Sequence, residues 1–141
     1  MAFFDSNSAV FQITDTGGTL RDISAYIIAI NGLPGPRELN DVTALGDTGR
    51  KWFPTLQDVT ITLELLYDDT ATTGPEVILG PLRTHTAAVA FDYGPKGKTA
   101  TFLKYSGTCW VRDFEITTQV GRQVMSRLEL KVQGVVTRGT Y

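Results

Sequence analysis

Residues 58–67 read DVTITLELLY, and the order of side chains within them decides the fold. Val59, Ile61, Leu63 and Leu65 alternate with Thr60, Thr62 and Glu64, a period of two that sends one set to each side of a β-strand. Such a strand has one dry face and one wet face. Asp68-Asp69-Thr70 closes it. Upstream, DVTALGDTGRK (41–51) is polar and carries glycines, and it leads through Trp52, Phe53 and Pro54 into the strand. An apolar pair at the end of a hydrophilic loop is costly to leave in water, so the sequence predicts that something covers it.

Working outward, the same alternation recurs along most of the chain. FQITD (11–15) and LRDIS (20–24) flank Thr16-Gly17-Gly18-Thr19, where paired glycines suit a hairpin turn. The second run is expected to continue through AYIIAIN (25–31), until Gly32-Leu33-Pro34-Gly35-Pro36 ends it and opens a long loop at about 33–55. Further strands are predicted at AAVAFDY (87–93), TATFLKY (99–105), TCWVRDFEITT (108–118) and QVMSRLELKVQGVV (123–136). Gly94-Pro95-Lys96-Gly97, Ser106-Gly107 and Gly121-Arg122 separate them. Thr73-Gly74-Pro75-Glu76 starts a short helix that Pro81 limits. The chain is therefore read as mainly β, an antiparallel sandwich or barrel with one short α-helix.

The alternation also assigns faces. Trp110, Phe114 and Ile116 are expected in the core, leaving Asp113, Glu115 and Thr117 outward. In the last strand Ser126, Leu128, Leu130 and Val132 share one face, and Arg127, Glu129, Lys131 and Gln133 the other.

The 141 residues, 42% of them hydrophobic, fit one domain spanning 1–141 with a single core. The apolar runs are too short for a membrane span and MAFFDSNS lacks the pattern of a signal peptide, so the expectation is a protein kept in a cytoplasm, without membrane insertion. Cys109 is the single cysteine, which rules out an intrachain disulfide. The net charge of -2 conceals an asymmetry: residues 1–70 hold four Lys/Arg against ten Asp/Glu, residues 71–141 nine against five. Opposed halves of this kind suit head-to-tail contacts between copies.

No group of residues has the pattern of a catalytic, cofactor or metal site. His85 is the single histidine, and nothing local joins it to Cys109 as a nucleophilic pair. GPKGKT (94–99) ends like a phosphate loop, but it joins two predicted strands and lacks the first glycine of that motif. Asp68-Asp69 has no third acid at a cation-binding spacing. Arg122, Arg127, Lys131 and Arg138 are interrupted by Glu129, which argues against a stripe that tracks nucleic acid.

Taken in order, an N-terminal hairpin, DISAYIIAI, the loop with ELNDVTALGDTGRKW, LQDVTITLELLYD, a short helix, AVAFDYGPKG and YSGTCWVRDFEI resemble the major tail tube proteins of siphoviruses, the bacteriophages with long non-contractile tails. The resemblance covers most of the chain. It implies a β-sandwich subunit that forms hexameric rings, stacked into a tube whose inner wall is a continuous β-barrel. It implies a place in the virion tail, assembled in the cytoplasm of the host bacterium. The implied partners are other copies, the tape measure protein, the tail terminator and distal tail proteins, and DNA passing without specific binding. Asp47, Arg50, Lys51, Trp52, Phe53, Arg127 and Lys131 are the expected contacts between subunits. Thr60, Thr62, Glu64, Asp113, Glu115 and Thr117 are the expected lining of the lumen, where acids and threonines would not hold phosphates. The tube of a related secretion or bacteriocin system, and a monomeric ligand-binding β-barrel, stand as alternatives.

Overall fold

The computed structural model describes residues 3–141; Met1 and Ala2, on which part of the signal-peptide reading rests, lie outside them. In chain order the strands are β1 (Val10–Thr14), β2 (Leu20–Asp22), β3 (Ile27–Asn31), β4 (Arg37–Asp41), β5 (Trp52–Gln57), β6 (Thr60–Leu66), β7 (Val89–Gly94), β8 (Leu103–Thr117) and β9 (Met125–Thr140). One helix, α1 (Pro75–Leu79), precedes β7. It starts at Pro75 with Glu76 in its first turn, as the sequence indicated, and a 3-10 turn begins at Pro81.

Seven strands form one antiparallel sheet in the order β2-β1-β7-β8-β9-β6-β3. β2 and β3 are its two edges, yet Asp22 and Ile27 are joined by a short turn whose reach is at most about 17 Å. The sheet must therefore roll until its edges approach. It encloses a core in which Val59, Ile61, Leu63 and Leu65 of the β6 segment meet Leu128, Leu130 and Val132 of β9 and Phe11, Ile13 and Phe91. Ile78, Leu79 and Leu82 close the core from the helical segment. The Phe11 and Phe91 rings stack with centroids 6.1 Å apart.

The first hairpin follows its turn sequence: Gly18 takes a positive φ, and the Asp15 carboxylate accepts the amides of Gly17 and Thr19. The run from Leu20 to Asn31, however, is not one strand. Ser24 donates its amide and hydroxyl to Asp22 and its hydroxyl accepts the Phe11 amide, a local competition that breaks the ladder into a 3-10 turn at Ser24–Tyr26. The chain crosses there from one edge of the sheet to the other.

The expected break at Ser106-Gly107 is likewise absent, because β8 is continuous and absorbs the glycine as a bulge between Ser106 and Thr108. Residues 99–102, expected in a strand, form the turn that leads into it. A second bulge between Val111 and Asp113 inserts one residue and shifts the face assignment. Cys109 and Phe114 remain buried while Trp110 turns outward, 39% exposed, correcting its expected place in the core. Ile116 is correct in phase, opposite buried Ser126, but is 48% exposed. β7 stops pairing at Cys109 and covers nothing so far along β8.

Candidate assembly surface

The segment expected as a loop at about 33–55 holds two paired strands. β4 and β5 form a separate antiparallel ribbon, with Leu39 opposite Pro54, Asn40 opposite Phe53 and Asp41 opposite Trp52. Every residue of both strands is exposed. Period two places Leu39, Trp52 and Pro54 on one side and Val42 and Phe53 on the other, so each face of the ribbon carries exposed apolar side chains. Trp52 is 55% and Phe53 61% exposed, and neither enters the core of its own subunit. A free two-stranded ribbon is marginal in water, and this one has apolar residues to cover on each side.

The tip of this arm is braced by polar contacts. Asp41 accepts the amide and hydroxyl of Thr43 and pairs with Arg50 at 2.6 Å; Asp47 accepts the Ala44 amide and pairs with Lys51 at 2.7 Å. The Thr43 hydroxyl and amide hold the Asp41 carboxyl below its ordinary range, with Arg50 adding to the effect. Lys51 does the same for Asp47, followed by the Ala44 amide. At the base, Gln57 Oε1 accepts the Val136 amide. Of the residues expected at subunit contacts, Asp47, Arg50, Lys51, Trp52 and Phe53 thus cluster on one projecting element.

The other two lie elsewhere. Residues directly opposite in a ladder share a face, and across β3, β6, β9 and β8 they form rows. One row reads Ala29–Glu64–Arg127–Glu115, the next Asn31–Thr62–Glu129–Asp113, and a third Thr60–Lys131–Trp110. Arg127 and Lys131 therefore stand among the six residues expected to line the lumen, and the structure brings that whole set onto one polar face. The face is mixed in charge rather than acidic. Arg112 reaches Glu129 at 3.3 Å, Lys131 pairs with Asp58 and donates to Thr60, and Trp110 Nε1 donates to Gln133. Beside Arg127 the face runs into an open hollow of about 310 Å³ bordered by Glu64, Thr117, Arg122 and Met125.

This four-stranded sheet has two open edges. Among the described residues β3 pairs with β6 alone, and β8 has no partner but β9 from Trp110 to Thr117. No strand signal in the sequence marks an edge, since edge and interior strands differ in what lies beside them and not in their own alternation. On the opposite side of the fold Cys109 is fully buried, and burial pushes its thiol up to about 12, which leaves it un-ionised and unreactive at neutral pH. Cys109 and His85 lie on separate elements, the first inside β8 and the second after the 3-10 turn Pro81–Thr84.

No protein-family model matches the chain, and no curated protein matches it in sequence. Solved structures do. A chain of the tail of an empty gene transfer agent particle, described with C6 symmetry, superposes with a TM-score of 0.78 at 13% identity, over 98% of this chain and 100% of that one. The SPP1 tail tube gives a TM-score of 0.75 at 14% identity, over 99% of this chain and 80% of that one. This chain has the tail-tube fold. A chain of the sheath–tube complex of an extracellular contractile injection system shares it at a TM-score of 0.69 and 9% identity, over 99% and 93% of the two chains.

Proposed function

We propose that the protein is a structural virion protein, the major tail tube subunit of a long-tailed phage-like particle. It polymerises as hexameric rings that stack into a tube, surrounds a tape measure protein, meets terminator and distal tail proteins at the tube ends, and conducts DNA into the host cell. The observation that carries this reading is the four-stranded sheet β3-β6-β9-β8 with an open edge on each side. Its outer strands run in opposite directions, so the β8 edge of one copy can pair antiparallel with the β3 edge of the next. Repetition around an axis closes a barrel and leaves no open edge, the standard remedy for a strand that would otherwise aggregate.

Side-chain chemistry agrees. β3 (IIAIN) holds no charged residue, so whatever the offset between rows, the acids Glu115 and Asp113 on the β8 edge meet no like charge at the junction. The apolar side of the sheet is already covered by the core, and the polar face with Thr60, Thr62, Glu64, Asp113, Glu115 and Thr117 becomes the lumen wall. Arg127 and Lys131 go with it. The arm, with exposed apolar side chains on each side, supplies the contacts through Asp47, Arg50, Lys51, Trp52 and Phe53 that a stack of rings requires.

A tube of a contractile injection system is the second reading, supported by the TM-score of 0.69 to the sheath–tube complex. Electron microscopy of the purified protein at rising concentration tests the assignment. Rings or tubes are expected; a uniform monomer at all concentrations overturns it, and a sheath layer on tubes isolated from particles selects the contractile reading.

A further inference from the structure

Where the rolled sheet fails to close, an open groove of about 640 Å³ lies along β3. Ile27, Ile28 and Ile30 of β3 border it together with Tyr93 and the polar Ser6, Asn7 and Ser24, over the buried Phe11. The groove sits beside the unpaired edge of β3, so whatever fills it meets apolar side chains and free backbone amides and carbonyls together. A small apolar molecule satisfies the first alone. A β-strand satisfies both.

The same fold leaves one apolar residue stranded on a matching edge. Ile116 lies on the core side of β8, opposite Ser126, and the row continues from Ser126 through Leu65 to Ile27. Ile116 and Ile27 are the two ends of one row, one at each open edge. Ile116 is half-exposed because no described strand of its own subunit pairs beyond it, and the groove at Ile27 is open for the same reason.

We propose that Ile116 of one copy inserts into the groove beside β3 of the next, making the junction within a ring a hydrophobic lock as well as a ladder of backbone hydrogen bonds. This rests on the tube-subunit reading and adds to it the residue and the receiving site. The tilt of strands in a barrel offsets neighbouring rows, which brings Ile28, exposed on the same edge, within range of the same side chain.

The test uses the full chain. Ile116→Asp is expected to melt as the wild type does, since its side chain is already half in water, but to raise the critical concentration for assembly by about tenfold or more; Ile116→Leu is expected to restore it. Separately purified Ile116→Cys and Ile28→Cys proteins, mixed and assembled, are expected to give a dimer with a short bis-maleimide, while Cys109 stays silent in its buried site. Wild-type tubes together with unchanged assembly of Ile116→Asp, or with no cross-link, overturn the lock and leave the tube reading standing. Failure of the wild-type protein to form rings at all overturns both.

Discussion

Arg127 on β9 lies directly opposite Glu64 on β6, and the ladder on its other side places it opposite Glu115 on β8. A cation between two acids on a channel wall has its field largely cancelled before a passing phosphate can reach it. Glu64→Lys combined with Glu115→Lys turns this row into three adjacent cations. Like charges directly opposite cost roughly 0.2–1 kcal/mol per pair, a modest loss of subunit stability. The larger effect is expected on DNA: intact tails that deliver their genome poorly, with DNA retained by the tubes in low salt and released as salt rises. Adding Arg127→Gln is expected to recover part of the delivery. Normal infectivity of the double variant counts against a lumen position for this row.

Trp52 gives a cleaner separation of folding from assembly. It is exposed on an arm outside the core, so Trp52→Ala is expected to leave the cooperative melting of the subunit unchanged. As an interface anchor its loss costs about 2 kcal/mol or more, roughly a thirtyfold rise in critical concentration. Calorimetry and sedimentation of the same sample check the two halves of this statement, and a lowered melting temperature with normal assembly would contradict it.

The arm tip sets an acid limit on assembly. Both Asp41 and Asp47 have folded-state values below the ordinary 3.8, so the stability they add is fully present above that value and is lost as pH falls through the lowered ones. Protonation releases Arg50 and Lys51 and weakens the bonds to Thr43 and Ala44. Assembly is expected to hold from neutral pH down to the ordinary carboxylate value of 3.8 and to fall below it. Asp41→Asn with Asp47→Asn is expected to weaken assembly at pH 7 and flatten the acid step; an unchanged pH profile in sedimentation argues against the tip.

Gly32 controls the exit from β3. Its φ is positive, and a Cβ there would run into the Thr60 carbonyl at the start of β6. Gly32→Ala is expected to cost about 1–3 kcal/mol from backbone strain, with further loss from the collision, visible as a drop of several degrees in melting temperature.

The β6 segment was legible from its sequence because no bulge interrupts it: Val59, Ile61, Leu63 and Leu65 are all buried as the alternation requires. β9 was legible for the same reason across Ser126–Val132. Trp110 was misread because the extra residue at Val111–Asp113 is imposed by pairing with β9, a partner that periodicity within β8 cannot register. The break at Ser24 depends on the Phe11 amide, thirteen residues away. The strands of the arm gave no signal since RELND and WFPTLQ do not alternate: an element exposed on both faces has no inside to mark. The outward phase of Thr60, Thr62 and Glu64 on one strand and of Asp113, Glu115 and Thr117 on another was legible strand by strand, but that the two sets share a face with Arg127 and Lys131 follows only from the register.

The opposite directions of β3 and β8 carry one more consequence. Joining copies through those edges by rotation about an axis never turns a copy over, so every arm leaves a ring by one rim and every β8–β9 turn by the other. Such an assembly is a vector. At one terminus the exposed Trp52 and Phe53 side chains would have no further ring to meet. Adding the next ring and stopping the last are then different chemical problems, solved at opposite ends by different surfaces.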